Sequence, residues 1–227
     1  MFEEFSRRNR AVMAAMALAA NHDWGDVSLA AIASEANLTM ADLRREFVCK
    51  NDILRAFQSE VDAQVLSRSK PAGSDDTVRD QVFDAIMTRF EVMGPHKEAL
   101  KRIVAYFRCH PGEASIFVCS RMVSQYWTLA NAGAKLNGPV ALVRIAGLSA
   151  VYDRAFNAWL KDDSSSLDKT MATLDRGLAN GERGMKSVEK ACETLCGFVR
   201  GLKRNFESKN TPNDKPSPEP EPAPSSA

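Results

Sequence analysis

Two adjacent arginines, Arg44 and Arg45, have the side chains best suited to recognising nucleic acid in this sequence of 227 residues. They lie in a short predicted helix that follows a first short helix and a three-residue turn, all within residues 28–47. This arrangement lays a recognition helix into the major groove of DNA. A guanidinium can pair with guanine in bidentate fashion, so Arg44 is the best candidate for reading a base. The alternative stays open that both arginines are solvated surface charges, and Glu46 beside them would repel phosphate.

The other reactive side chains do not have the spacing of a catalytic or metal site. His22, His96 and His110 lie far apart in the sequence, and no HExxH, Gly-rich phosphate loop or GxSxG motif occurs. No group of His, Cys, Asp and Glu residues shows the spacing of metal ligands. We therefore expect no enzyme activity, no metal site and no cofactor.

Short helices must position the two arginines. Residues 7–20 are rich in helix formers, and Ser28 can cap a second helix. Asn37 tolerates the left-handed conformation that ends a helix, and Thr39 begins a capping-box pattern for the third helix. A fourth helix starts near Lys50. Its apolar face consists of Ile53, Leu54, Phe57, Val61 and Val65.

Ten residues at fixed spacing within residues 8–58 follow the consensus of a known family. They are Gly25, Ser28, Ile32, Ala33, Ala36, Leu38, Thr39, Phe47, Lys50 and Asp52. On these residues the segment resembles the TetR family of transcriptional regulators. The chain departs from the family at Arg44 and Glu46, where a Tyr and a His are usual, and at Asn37, where a Gly is usual. The resemblance implies binding to double-stranded DNA through Ser28, Thr39, Met40, Arg44, Arg45 and Lys50.

The remaining chain is helical in period up to about residue 206, so we predict an all-α protein. The predicted helices are 76–92, 96–109, 112–132, 138–161, 167–181 and 184–206, separated by Gly and Pro residues such as Gly181. With the resemblance this gives a TetR-like architecture. Residues 1–50 form the helix-turn-helix domain, 51–206 a helical ligand-binding and dimerisation domain with 51–69 as connector, and 207–227 a disordered Pro-rich tail.

The resemblance also implies a homodimer that holds a small apolar effector in the larger domain and releases repression when the effector binds. Aromatic side chains of that domain fit such a pocket. We expect it to be lined by Phe107, Tyr126, Trp127, Tyr152 and Phe156. Core packing explains these aromatic residues equally well.

Residues 151–178 resemble a second family, the TetR-like accessory proteins of ubiquinone biosynthesis, which bind isoprenoid lipid and not DNA. The matching residues are Tyr152, Asp163, Ser164, Thr170, Leu174 and Arg176. A structural interpretation is that an Asp or Ser of the loop 162–166 caps the next helix. The alternative function is therefore a lipid-binding protein that no longer binds DNA.

The last predicted helix, residues 184–206, is amphipathic. Val188, Cys192, Leu195, Val199, Leu202 and Phe206 share one face. Five Lys/Arg and two Glu give this segment a net charge of +3, which suits an anionic membrane surface. The same apolar stripe would also serve packing on the bundle or a dimer interface, and the sequence does not separate these uses.

Composition indicates a globular protein without a membrane span. Apolar residues are 44% of the chain, charged residues are 26%, and the net charge is +1. The first seventy residues hold nine Lys/Arg and ten Asp/Glu, a poor balance for binding phosphates. Five scattered cysteines predict reduced, mostly buried thiols, and we expect a cytoplasmic location.

Overall fold

The computed structural model describes residues 6–69, 76–185 and 187, and within these ranges the chain is helical with no strand. This agrees with the predicted all-α class. The helices are α1 (Arg7–Asn21), α2 (Leu29–Glu35), α3 (Met40–Glu46), α4 (Lys50–Arg68), α5 (Val78–Met93), α6 (Lys97–Cys109), α7 (Pro111–Asn131), α8 (Pro139–Lys161) and α9 (168–185), with a 3₁₀ turn at Gly94–His96.

Polar side chains set the starts of the N-terminal helices as the sequence predicts. The Ser28 hydroxyl accepts a hydrogen bond from the Ala31 amide at 3.1 Å and caps α2. Asn37 has a φ of 53°, the left-handed conformation predicted for the turn between α2 and α3. Thr39 and Asp42 form the predicted capping box of α3. These three predictions are confirmed.

The core connects the N-terminal helices to the rest of the bundle. Helix α1 packs on α6, and α4 packs on α5 and α7. The chain up to Met185 forms one compact unit. The division at residue 50 between a DNA-binding domain and a larger domain stays a prediction.

Aromatic side chains stack at the centre of the core. The Phe90 ring lies between Trp159 and Tyr152, with ring centroids 5.4 and 5.8 Å away. Phe156 contacts the same two rings, with its ring centroid 5.7 Å from those of Tyr152 and Trp159. All four side chains are buried, so core packing accounts for the positions of Tyr152 and Phe156.

The predicted break at Gly181 is wrong. Residues 168–185 form one continuous helix through this glycine. A single Gly costs about 1 kcal/mol in a helix, which flanking helix formers and hydrogen bonds can offset. Here Arg183 donates to the Ala179 carbonyl at 3.3 Å and to Asn180 at 2.6 Å, and both contacts span the glycine.

The prediction of mostly buried thiols is also wrong for the three cysteines that the structure describes. Cys49, Cys109 and Cys119 are free and exposed. Cys49 and Cys109 lie at helix ends, and Cys119 lies on the outer face of α7. A helix end or an outward face exposes a side chain whatever its polarity.

Some predictions fall outside the described residues. These are the amphipathic stripe from Val188 to Phe206, with its proposed membrane contact, and the tail 207–227. In the part of the chain that is described, no helix combines the length and apolar character needed to cross a bilayer.

Asp162 caps the start of α9 from six residues upstream, as the sequence predicted for this loop. One carboxylate oxygen accepts from the Thr170 amide at 3.0 Å and from the Thr170 hydroxyl at 2.9 Å. The other accepts from the Ser164 hydroxyl at 2.6 Å. Thr170 and Leu174 are buried, so their match to the lipid-binding family is also explained by packing and capping.

We expect Asp162 to make folding sensitive to acid. The Ser164 hydroxyl bond, with those from Thr170, holds the pKa of the Asp162 carboxyl well below its usual value of 3.8. A carboxyl whose pKa is lower in the folded state than in the unfolded state stabilises the fold at pH values above its unfolded-state pKa. This stability is lost as the pH falls through the folded-state pKa. Asp162→Asn is therefore expected to be less stable than wild type at pH 7. On acidification below pH 3.8 the variant should lose less stability than wild type does.

The measurement is the urea midpoint at several pH values between neutrality and strong acid. Asp163→Asn is the matched control, because this neighbouring carboxylate is 83% exposed. Parallel pH profiles for wild type and Asp162→Asn would show that the cap does not contribute as the geometry indicates.

Candidate nucleic-acid interface and ligand cavity

Helices α2 and α3 form a helix-turn-helix. The turn is closed by the Leu38 amide, which donates to the Ala33 carbonyl at 2.9 Å, and Leu38 packs against the core. Leu43 is buried and fixes the inner face of α3. The outer face then carries Met40, Arg44 and Arg45, all exposed. The structure thus places the predicted groove-facing residues of α3 together on one open surface.

Arg44 and Arg45 differ in their surroundings. Arg45 lies 3.2 Å from the Asp42 carboxylate within α3. Arg44 has neither a hydrogen bond nor an ion pair with any part of the chain that the structure describes. Its guanidinium is therefore available to a ligand. Met40 is 51% exposed at the first turn of the same helix.

Asp42 organises the charges around α3. Its carboxylate accepts a hydrogen bond of 2.7 Å from the Thr39 hydroxyl and lies 2.9 Å from the Arg7 guanidinium. The Thr39 hydrogen bonds, with smaller effects of Arg7 and Arg45, hold the pKa of Asp42 below its usual value. Asp42 is thus ionised at neutral pH, and it orients an arginine on each side.

Arg7 and Arg8 were not among the predicted site residues, and the fold brings both to α3. Arg8 donates to the Glu46 carbonyl at 3.1 Å, and its guanidinium lies 4.9 Å from the centre of the Phe47 ring. Together with Arg44 and Arg45 they form an arginine patch of four residues: Arg7, Arg8, Arg44 and Arg45. The RRNR run at residues 7–10 was the available signal. The patch compensates locally for the acidic balance of the first seventy residues.

Lys50 forms hydrogen bonds and a ring contact within the protein. Its ammonium donates to the Trp24 carbonyl at 2.6 Å and to the Val27 carbonyl at 3.0 Å. It also lies 4.6 Å from the centre of the Trp24 ring. Burial lowers the pKa of Lys50, opposed by nearby carboxylates of Glu113 and Asp26. The side chain joins the start of α4 to the turn before α2, and its predicted phosphate contact stays a prediction.

A small cavity lies between α4, α5, α6, α7 and α8. Its volume is about 20 Å³, enough for about one water molecule. Two of the predicted effector residues, Tyr152 and Phe156, line it. The wall also contains polar side chains that the sequence reasoning missed, Gln58, Arg89, Arg121, Ser124 and Gln125.

An open groove runs along the outer faces of α4 and α7, with a volume of about 800 Å³. Trp127, a predicted effector residue, lines it. The other two predicted residues, Phe107 and Tyr126, line neither the cavity nor the groove. Phe107 is buried, and Tyr126 is 43% exposed. The five predicted aromatic residues are therefore not gathered into one pocket.

The described ranges contain no cluster of three or more His, Cys, Asp or Glu side chains that could hold a metal ion.

The helix order and the helix-turn-helix define a class: an all-α protein with a helix-turn-helix near its N-terminus. Among solved structures, the chain is similar to a TetR transcriptional regulator from Nitrosomonas europaea ATCC 19718, with a TM-score of 0.63, 21% identity, and 77% of this chain and 97% of that chain covered. It is also similar to a TetR transcriptional regulator from Rhodococcus sp. RHA1, with a TM-score of 0.55, 15% identity, and 77% and 94% covered. The chain therefore has the fold of TetR transcriptional regulators. Neither a family model nor a curated protein matches its sequence.

Proposed function

We propose that the protein is a TetR-type transcriptional regulator that binds double-stranded DNA as a homodimer and responds to a small ligand. The observation that carries the proposal is the outer face of α3, where Met40, Arg44 and Arg45 are exposed together within a TetR-like fold. Exposed guanidiniums on a helix held by a helix-turn-helix suit major-groove recognition.

Each predicted DNA-binding residue receives a role under this proposal. Arg44 reads a base, because its guanidinium has no competing partner among the described residues. Arg45 and Met40 contact the groove beside it. Ser28 accepts the Ala31 amide and keeps its hydroxyl proton to donate to a phosphate at the N-terminus of α2. Thr39, whose hydroxyl donates to Asp42, caps α3 and sets the helix end that meets the DNA backbone. Lys50 positions α2 through Trp24 and Val27.

Support for a homodimer comes from an exposed apolar face at the start of α8. Leu142 is 69% exposed and Val143 is 43% exposed. Ala146, Gly147 and Ala150 continue the same exposed face one and two turns later. Uncharged exposed surface of this kind is typical of interaction sites, and small residues allow close approach of a second helix.

Arg44→Ala is expected to lower affinity for the selected DNA site by about 10- to 100-fold, the value of one bidentate base contact. The site is first obtained by selecting randomised duplexes with the wild-type protein. Fluorescence anisotropy then gives the dissociation constants. A homodimer predicts two inverted half-sites about one helical turn apart.

Matched variants separate the roles of the residues. Glu46→Gln is expected to strengthen DNA binding, because it removes a negative charge beside the patch. Lys50→Ala is expected to weaken DNA binding and also lower the thermal midpoint, since Trp24 and Val27 lose its hydrogen bonds. Unchanged affinity in both Arg44→Ala and Lys50→Ala would refute the residue assignments.

The lipid-binding alternative stays a prediction. Its amphipathic helix, 184–206, lies almost wholly outside the described residues. It would be favoured if the selection returned no DNA site while the protein bound liposomes of anionic lipid.

A further inference from the structure

Gln125, on α7, is buried without hydrogen bonds. Its side chain is completely inaccessible to solvent. Neither its amide nitrogen nor its amide oxygen has a hydrogen-bond partner in the described part of the chain. A buried amide without partners destabilises a fold, so a molecule that enters the cavity and pairs with it gains free energy.

The same cavity contains a third unpartnered polar atom. Arg89 Nε, on α5, is buried and also lacks a partner within the described ranges. Arg89 and Gln125 both line the small cavity of about 20 Å³. The cavity wall therefore carries two unused donors, Arg89 Nε and Gln125 Nε2, and one unused acceptor, Gln125 Oε1.

The charges that face the cavity are already paired. Arg89 Nη2 lies 2.5 Å from an Asp62 carboxylate oxygen, and Arg121 contacts Asp153. Burial raises the pKa of Tyr152, partly opposed by Arg89 and Arg121, so its phenol is neutral at pH 7. Because a carboxylate balances the charge of each guanidinium, the cavity does not favour a net charge on the group that enters it.

The cavity and the open groove share one side chain. Gln58 lines both, and it accepts a hydrogen bond from the Ser120 hydroxyl. On the groove side the apolar wall consists of Ala63, Leu66, Val123 and Trp127. Movement of Gln58 would connect an apolar groove to a polar inner end.

We propose that the protein's ligand is an uncharged molecule with an apolar body and a carboxamide or lactam end. The body lies in the groove against Trp127. The polar end displaces Gln58, donates to Gln125 Oε1, and accepts from Gln125 Nε2 and Arg89 Nε. This ligand class rests on the proposed function for its regulatory role. Binding of the ligand itself does not depend on DNA binding.

Thermal denaturation of the full-length protein, without DNA, tests the proposal with three probes. Benzamide has the required donor and acceptor, benzoate adds a charge, and toluene lacks polar atoms. Benzamide is expected to raise the thermal midpoint by about 2–4 °C at a concentration well above its dissociation constant, and the other two probes by much less. Equal shifts with all three, or none with benzamide, would overturn the proposal.

Gln125→Met provides a second readout. The variant is expected to be more stable than wild type without ligand, because it removes an unpartnered buried amide at similar volume, and to lose the benzamide shift. Gln64→Met, at a half-buried glutamine that bonds Glu60, is the control and should keep the shift. A less stable Gln125→Met would assign the amide a structural role instead. Because no DNA is used, failure to bind DNA would leave this test unaffected.

Discussion

Arg89→Met is expected to lower the free energy of unfolding by about 3–5 kcal/mol, since it leaves a carboxylate unpaired inside the protein. The Arg89 side chain is 5% exposed, that of Asp62 is 15% exposed, and their charged atoms lie 2.5 Å apart. Ser124 also donates to Asp62 at 2.8 Å, so the pair is held within a polar network beside the small cavity. Urea denaturation measures the change.

Two further variants test whether the loss of stability arises from the burial of the Arg89–Asp62 pair. Arg79→Met removes an arginine that pairs with Asp175 on the surface, with exposures of 38% and 60%, and it should cost at most about 1 kcal/mol. The double variant Arg89→Met with Asp62→Leu removes both charges and should recover most of the loss. A cost for Arg89→Met no greater than that of Arg79→Met would contradict the account of the core.

Phe90→Ala is expected to destabilise the fold by about 3–5 kcal/mol, because it empties the centre of the aromatic stack. Phe90 is fully buried on α5, and its ring stacks on Trp159 and Tyr152 of α8. The loss of this ring removes both of these ring contacts between the two helices. Chemical denaturation followed by circular dichroism gives the free energy.

Val78→Ala is the matched control for the stack. It truncates an apolar side chain on the same helix that is 43% exposed, so its effect should stay within about 0.5 kcal/mol. If Phe90→Ala cost less than about 1 kcal/mol, the stack would not be the centre of the core.

Local signals in the sequence predicted the helix-turn-helix well. Ser28, Asn37 and Thr39 act on backbone groups within a few residues of themselves, so their effects can be inferred without the fold. The apolar period likewise predicted the helices from α5 to α8 closely. The predicted helix break at Gly181 was wrong because a single glycine destabilises a helix only weakly.

Interactions between distant segments could not be predicted in this way. The Lys50 ammonium bonds carbonyls 26 and 23 residues earlier in the chain. Arg7 meets Asp42 across 35 residues, which is how the arginine patch forms. Gln125 gave no signal either, because its burial without partners depends on how α7 packs among its neighbours.

Binding of the purified full-length protein to duplex DNA from its own upstream region tests the central claim most directly. The titration is repeated over a range of salt concentrations, with an unrelated duplex as control. We predict tight binding that weakens steeply with salt, and a preference of about 1,000-fold or more over the unrelated duplex. Absence of binding at low salt, or equal affinity for both duplexes, would contradict the claim that this fold acts here as a sequence-specific regulator.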